Sequence, residues 1–256
     1  MRFGICTDIQ NIDEVASLGY DYVEAKLNVI AVLDEDAFSA IVEQVHASPI
    51  CVERCCLLLP KSMQVIGDRY QEAEMVAYLK AAYARMQAIG ADLVVFGSGK
   101  SRTFDASMRW QQAFKHLVDV TKVIGMVGAD YGIRIAIEPL NRLETNLINT
   151  LTEAAALQAC VGLPNVGLLA DSYHMASELE DWNHIVQVAP LMHTHIALYE
   201  GRRYPTMQCD EVDSFMTALQ AAGYDASMSI EGKSDDWQSD AKSALSILKQ
   251  ACEGRR

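Results

Sequence analysis

Polar side chains of metal-ligating type stand at the ends of four consecutive apolar runs in the second half of the chain. They are Glu138 after RIAI, Asp171 after VGLLA, His193 and His195 within MHTHIA, and Glu231 after SMSI. Carboxylate oxygens with one imidazole suit Mn²⁺, Mg²⁺ or Co²⁺ better than the thiolate sites that select zinc. A single carboxylate at such a position is often a helix N-cap or an ion-pair partner. Four on successive runs favour a metal site.

Two of these carboxylates, Glu138 and Glu231, are also candidate acid and base groups. A base can remove a proton from a carbon beside a carbonyl, and a divalent ion stabilises the resulting enediolate. Inversion of that carbon requires a proton to return on the opposite face, hence a second carboxylate across the substrate. Asp171 and one histidine would then hold the metal without exchanging protons. We expect His193 and His195 to leave their strand on opposite faces, so that only one lines the site.

The elements that must position these residues alternate regularly between strand and helix. The predicted strands are 2–7, 21–27, 51–58, 92–96, 134–137, 166–170, 191–197 and 226–230. The predicted helices are 13–18, 34–45, 68–89, 108–127, 152–160, 182–188, 212–221 and 236–251, with Thr152 as the N-cap of the fifth. Eight such units predict an α/β fold, a (β/α)8 TIM barrel formed by residues 1–256 as one domain. A doubly wound sheet is the alternative, but no G-x-G-x-x-G follows the first strand. In a barrel, the strand ends named above form one rim, where active sites lie.

Composition narrows the class of partner. The 256 residues carry 21 Lys and Arg against 34 Asp and Glu, a formal net charge of −13, which disfavours nucleic-acid binding. No apolar run approaches the length of a membrane span. The seven cysteines are odd in number and form no C-x-x-C pair, which indicates reduced thiols and a cytoplasmic location. The expected partner is a small molecule, and a dimer or tetramer of the chain is left open.

Four segments resemble those of a known family. IEPLNRLETNLINT from Ile137, DSYHM from Asp171, HTH from His193 and SIEGK from Ser229 are similar, in order and spacing, to the ketose 3-epimerases. These are the D-tagatose and D-psicose 3-epimerase group of the xylose-isomerase-like superfamily. In the first half of the chain, only VVFGSG from Val94 is shared with related sugar isomerases. The resemblance implies a xylose-isomerase-like TIM barrel that epimerises a ketose at C3.

The resemblance also implies roles for individual residues. Glu138, Asp171, His195 and Glu231 fall on the family's metal ligands, which selects His195 over His193, and Glu138 and Glu231 fall on its acid/base pair. Three further residues match substrate-binding positions of the family: Glu144, His174 and Arg202. The implied cofactor is one divalent ion, with Mn²⁺ preferred and Mg²⁺ or Co²⁺ as alternatives, and the implied substrate is a sugar. The family's Pro-Gly-x-Gly turn is replaced here by Pro205-Thr206-Met207-Gln208, which points to a different pocket shape.

Other functions compete with ketose epimerisation. An isomerase, epimerase or lyase acting on a related polyol, keto-acid or sugar phosphate would use the same metal site. GSGKSR lacks P-loop spacing, yet backbone NH groups with Lys100 or Arg102 could hold a phosphorylated sugar. An apurinic endonuclease would need more than six histidines and a basic face. A non-catalytic barrel would have no use for two opposed carboxylates.

Overall fold

Eight parallel strands close into a barrel in sequence order. The computed structural model describes residues 1–253. The strands are β1 (Arg2–Thr7), β2 (Tyr22–Lys26), β3 (Cys51–Cys56), β4 (Leu93–Phe96), β5 (Arg134–Ile137), β6 (Val166–Asp171), β7 (His193–Ile196) and β8 (Ser227–Ile230). Each strand pairs with the next, and β8 pairs with β1 to complete the ring. The closed barrel confirms the predicted fold class and excludes the doubly wound sheet.

Helices follow the strands around the outside of the barrel. They are α1 (Ile12–Ser17), α2 (Leu27–Ile30), α3 (Glu35–Ala47), α4 (Glu72–Ile89), α5 (Gly99–Arg102), α6 (Trp110–Asp130), α7 (Leu151–Val161), α8 (Ser172–Ser177), α9 (Asn183–Val188), α10 (Asp210–Ala221) and α11 (Trp237–Glu253). All eight predicted helices are present with shifted ends. The short helices α2, α5 and α8 were not predicted. Within residues 1–253, no helix combines the length and apolar content needed to cross a lipid bilayer.

The N-cap of helix α7 lies two residues earlier than the predicted one. The side chain of Thr150, not that of Thr152, accepts a hydrogen bond from the Glu153 backbone NH at 3.2 Å. Glu153 in turn accepts from the backbone NH of Asn149 at 2.6 Å. The T-x-x-E spacing from Thr150 to Glu153 is a capping-box signature, so the choice of Thr152 was wrong.

The interior of the barrel is divided between apolar and polar side chains. A small apolar cluster fills one side, formed by Cys56, Leu93, Val95, Ala136 and Leu169. The large core lies instead between the strands and the helices. On the other side of the interior, Tyr22, Glu24, His193, His195 and Ser229 are all fully buried. Buried polar groups of this kind require hydrogen-bond partners. The hydrogen bonds among them extend to residues at the carboxyl ends of the strands.

Candidate active site

The four predicted metal ligands meet at the carboxyl-terminal rim of the barrel. Glu138 directly follows β5, Asp171 ends β6, His195 lies in β7 and Glu231 directly follows β8. Asp171 and His195 are register partners in neighbouring strands. One ligand atom from each of the four residues lies within 4.8 Å of every other. Strand register alone therefore brings together residues that are up to 93 positions apart in the sequence (231 − 138).

His195 lies at the centre of this group. Its Nδ1 atom is 3.3 Å from Glu138 Oε1, 3.2 Å from Glu231 Oε2 and 4.0 Å from Asp171 Oδ2. Burial alone would lower the pKa of His195, but the charges of Glu24 and Glu231 raise it well above its usual value. The imidazole is thus held in a strongly negative environment, as expected of a cation site.

The two candidate acid/base carboxylates have different electrostatic surroundings. Burial raises the pKa of Glu138 above its ordinary value, against the opposing influence of His195. Burial would also raise the pKa of Glu231, but His195 and Arg202 outweigh it and lower that pKa to about 2. Two carboxylates whose pKa values are pushed apart are a common arrangement for acid and base partners.

The Asp171 carboxylate is shared between a helix end and the site. Its Oδ1 atom caps α8 by accepting from the backbone NH groups of Tyr173 at 2.7 Å and His174 at 3.4 Å. Its Oδ2 atom is buried and has no hydrogen-bond partner. A buried carboxylate oxygen without a hydrogen bond is costly. The Arg202 guanidinium is 3.5 Å from this oxygen, and a cation bound closer would satisfy it. This oxygen and the oxygen-rich donor set both fit a hard divalent ion.

His193 was expected to leave the strand on the opposite face from His195, and this was wrong. Successive residues of a strand alternate faces, so residues two apart share one. Both rings point into the barrel, with centroids 5.1 Å apart. His193 lies outside the metal-ligand group and contacts Glu24, whose Oε2 is 2.8 Å from its Nε2.

Glu24 is a site residue that sequence reasoning missed. It lies in β2, is fully buried, and places Oε1 2.9 Å from His195 Nε2. Burial would raise the pKa of Glu24, but the two histidines outweigh it and hold that pKa well below its usual range. A carboxylate within the otherwise apolar stretch YVEA was the available signal.

His174 presents one ring nitrogen to the site. Its Nδ1 atom faces the Asn141 backbone NH at 3.1 Å and the Asn141 side-chain amide at 3.0 Å. Since the backbone NH can only donate, Nδ1 accepts, and a neutral ring then carries its proton on Nε2. Nε2 is buried without a hydrogen-bond partner and lies 3.8 Å from Asp171 Oδ2. Asn141, which sequence reasoning also missed, therefore orients the ring of His174 so that Nε2 faces the Asp171 carboxylate.

Arg202 and Glu144 lie at the edge of the four-residue group. The guanidinium of Arg202 is 2.6 Å from Glu231 Oε2 and 3.5 Å from Asp171 Oδ2. It is also 3.5 Å from Glu144 Oε1 and lies over the ring of Tyr173 at 4.8 Å. The predicted substrate-binding residues are thus brought together with the predicted ligands. Arg202 supplies a positive charge that offsets part of the negative charge of the carboxylates.

A cavity of about 310 Å³ opens at this rim. Its walls include five of the seven predicted site residues: Glu138, Glu144, His174, Arg202 and Glu231. Asp171 and His195 are buried against these side chains. Three wall residues have left-handed backbone without being glycine, namely Leu57 at φ 56°, Ser98 at φ 43° and Arg202 at φ 52°. Such strain concentrates at functional sites.

Arg102 was left open as a phosphate ligand, and the structure contradicts this role. Its side chain is fully buried, and burial lowers its pKa to about 10. It donates to the backbone oxygens of Phe96 at 3.1 Å, Glu138 at 2.7 Å and Ile148 at 3.3 Å. Arg102 therefore fixes the backbone around Glu138. Lys100, in the same segment, lines the cavity.

Comparison with known sequences agrees with this architecture. The sequence model of the family described as xylose isomerase-like TIM barrel matches residues 12–251. A ketose 3-epimerase of Arthrobacter globiformis is 35% identical over 105 residues, which cover 40% of this chain and 36% of the relative. A D-psicose 3-epimerase of Agrobacterium fabrum is 25% identical over 198 residues, covering 75% of this chain and 67% of the relative. The match to the first relative thus spans little more than a third of that protein.

Solved structures share the fold over nearly the whole chain. A D-allulose 3-epimerase from Methylomonas sp. in complex with D-allulose superposes with a TM-score of 0.83 at 21% identity, covering 98% of this chain and 97% of that one. A zinc-bound IOLI protein superposes with a TM-score of 0.78 at 18% identity, covering 99% of this chain and 97% of that one. At these identities the likeness concerns the fold. The resemblance to ketose 3-epimerases inferred from the sequence motifs is confirmed by the named relatives.

Proposed function

Because the chain belongs to the xylose isomerase-like TIM barrel family, we propose that it is a divalent-metal-dependent ketose 3-epimerase. The observation that carries the proposal is the meeting of Glu138, Asp171, His195 and Glu231 beside one cavity. Relatives named as ketose 3-epimerases, matched over parts of their length, support the same activity.

The same four side chains would hold the metal ion. Three carboxylates and one imidazole favour Mn²⁺, with Mg²⁺ and Co²⁺ as alternatives. When bound, such an ion polarises the substrate carbonyl and stabilises negative charge that develops on its oxygen. Asp171 is suited to a purely ligating role because its other oxygen is occupied by the cap of α8.

Glu138 and Glu231 would exchange the proton at C3. They approach His195 Nδ1 from β5 and β8, at 3.3 and 3.2 Å, so that they flank the histidine from different strands. One carboxylate takes the proton to give the enediolate of the sugar, and the other returns a proton to the opposite face. Their roles exchange when the reaction runs in reverse.

Unpartnered polar atoms in the cavity wall suit a polyhydroxy ligand. Asn28 Oδ1 and His174 Nε2 are both buried without partners, and both residues line the cavity. An acceptor and a donor held in this way match sugar hydroxyl groups. Glu144 and Arg202 would add hydrogen bonds at the end of the cavity nearest Glu231.

A ketose phosphate is the second candidate substrate. Lys61 and Lys100 line the same cavity, and neither forms an ion pair within residues 1–253. In a chain with a net charge of −13, two free cations beside a polar cavity favour an anionic substituent. Lys61→Gln and Lys100→Gln should then raise the KM for a ketose phosphate more than the KM for the free ketose. Lys115→Gln, on the outer helix α6, is the matched control.

The test of the function is a screen of Mn²⁺-loaded protein against free ketoses and their phosphates, with products identified by NMR. The proposal expects conversion between C3 epimers and loss of that conversion in Asp171→Asn protein. Conversion of a ketose to an aldose without C3 inversion would contradict it. So would an absence of turnover on every ketose by protein that holds its metal.

A further inference from the structure

Glu24 joins the two histidines of β7 inside the barrel. Its Oε1 atom is 2.9 Å from His195 Nε2, and its Oε2 atom is 2.8 Å from His193 Nε2. All three side chains are completely buried. Both oxygens of one carboxylate are therefore used on two rings, in a region that excludes solvent.

The hydrogen bonds that link Glu24, His193 and His195 have a fixed donor and a fixed acceptor each. An ionised carboxylate can only accept, so each Nε2 atom must carry a proton and donate to Glu24. For His193 the remaining Nδ1 atom accepts from the hydroxyl of Ser227, 3.0 Å away. For His195 the remaining Nδ1 atom faces Glu138 and Glu231. Once Glu24 holds the Nε2 proton, Nδ1 of His195 has a lone pair free for a cation.

We propose that Glu24 is a positioning residue that fixes the tautomer and orientation of His195 as a metal ligand, with His193 holding the second oxygen of Glu24 in place. This inference rests on the proposed metal site. Carboxylates that orient ligating histidines in this way change metal affinity by about 10–100-fold when they are removed. Glu24 touches neither cavity nor substrate, so its effect passes through His195.

Two variants of Glu24 separate this role from general stability. Glu24→Leu removes the acceptor, and His195 is then free to place its proton on Nδ1, among the ligands. In Glu24→Gln the amide oxygen can still accept from His195 while the amide NH₂ turns to His193. His193 can adapt because its Nδ1 atom lies 3.1 Å from the Ser227 backbone oxygen, to which it would then donate. The conservative variant should therefore rescue most of the metal affinity.

The control is Tyr22→Phe. This residue is fully buried in the same interior, where its hydroxyl is 2.9 Å from Ser229 Oγ. The variant loses one buried hydrogen bond, and the Tyr22 hydroxyl is bonded to neither Glu24 nor His195, although Ser229 Oγ lies 3.4 Å from His193 Nε2. Calorimetric titration with Mn²⁺ should give wild-type affinity for Tyr22→Phe, a small loss for Glu24→Gln, and a loss of about 10–100-fold for Glu24→Leu.

Nitrogen-15 NMR of the histidine rings in Mg²⁺-loaded protein supplies a second readout. Wild-type protein and Glu24→Gln should both carry the His195 proton on Nε2, while the His193 proton should move from Nε2 to Nδ1 in Glu24→Gln. A proton on Nδ1 of His195 in wild-type protein would overturn the proposal even if Glu24→Leu fails to fold. Undiminished Mn²⁺ affinity in folded Glu24→Leu, or no metal binding by wild-type protein, would also overturn it. Protein that binds Mn²⁺ as described but epimerises no ketose would contradict the proposed function alone.

Discussion

Gly97 is the residue that leaves room for the Glu138 carboxylate. A Cβ atom at this position would lie 2.1 Å from Glu138 Oε2, closer than any real contact. Gly97 directly follows β4, next to the strand that delivers Glu138. The glycine is needed here for space, and the active geometry depends on an absent side chain as much as on those present.

Gly97→Ala should therefore displace the Glu138 carboxylate and lower turnover by at least about 100-fold, since a 1 Å misplacement of a reacting group can cost that much. Steady-state kinetics on the accepted ketose would measure the loss. Gly128→Ala is the control, because its Cβ would lie 3.1 Å from the Ile133 carbonyl oxygen, away from the site. That variant should keep its turnover while folded. Equal turnover in Gly97→Ala and wild-type protein would contradict the account.

At the residue scale, site residues that directly follow a strand could be predicted from the sequence. The residues that hold them in place through hydrogen bonds could not. Glu138 and Glu231 are visible because each interrupts an apolar run at its end. Glu24 was missed because a lone acid inside a strand carries no spacing signal, and its partners lie 169 and 171 positions away. Asn141 was missed because its role is a hydrogen bond to His174, which only the fold creates.

At the scale of single elements, the N-cap residue determines where helix α7 starts. The Thr150 side chain accepts from the Glu153 backbone NH, and Glu153 accepts from the Asn149 backbone NH. The first bond satisfies a donor that the first turn of a helix leaves free, and the second fixes the residue before the cap. The helix begins directly after the loop that carries Glu144.

Thr150→Ala should lower the free energy of unfolding by about 1 kcal/mol. Thr152→Ala, an exposed position within the same helix, is the matched control and should change stability much less. Urea denaturation of the two variants would measure the difference. A larger loss in Thr152→Ala would reverse the assignment of the cap.

Long elements were predictable from local pattern, and short ones were not. Apolar, β-rich runs marked all eight strands, and the pattern of apolar and polar residues marked the longer helices. Helix α8 has six residues and starts where the Asp171 carboxylate accepts two backbone NH groups. Helices α2 and α5 have four residues each; α2 follows β2 directly, and α5 follows β4 after Gly97 and Ser98. Segments this short have too few residues for a periodic signal, so tertiary contacts determine them.

At the scale of the whole molecule, the proposed metal would link the second half of the barrel. Its four ligands come from β5, β6, β7 and β8, which are consecutive neighbours in the ring. A net charge of −13 also favours the approach of cations. Because the site is formed only when these strands are paired, a metal that binds it should stabilise the folded chain.

Saturating Mn²⁺ should stabilise the protein by about 2.7 kcal/mol at a free concentration 100 times Kd. For a chain of this size that corresponds to a rise in Tm of roughly 5–10 °C. Thermal unfolding after EDTA treatment, with and without added Mn²⁺, would measure it. Asp171→Asn should show little or no rise. Identical rises in wild-type and Asp171→Asn protein would place the stabilising metal elsewhere.

The central claim is that Glu138 and Glu231 exchange a proton with the carbon beside a ketose carbonyl, and epimerisation in D₂O tests it most directly. Wild-type protein should incorporate deuterium at that carbon as epimers form. Glu138→Gln and Glu231→Gln should each lose about 10²–10⁴-fold in turnover, and each should retain exchange mainly with one epimer, because each carboxylate serves one face. Turnover without deuterium entering from solvent, together with full activity in both variants, would contradict the account and indicate a hydride shift.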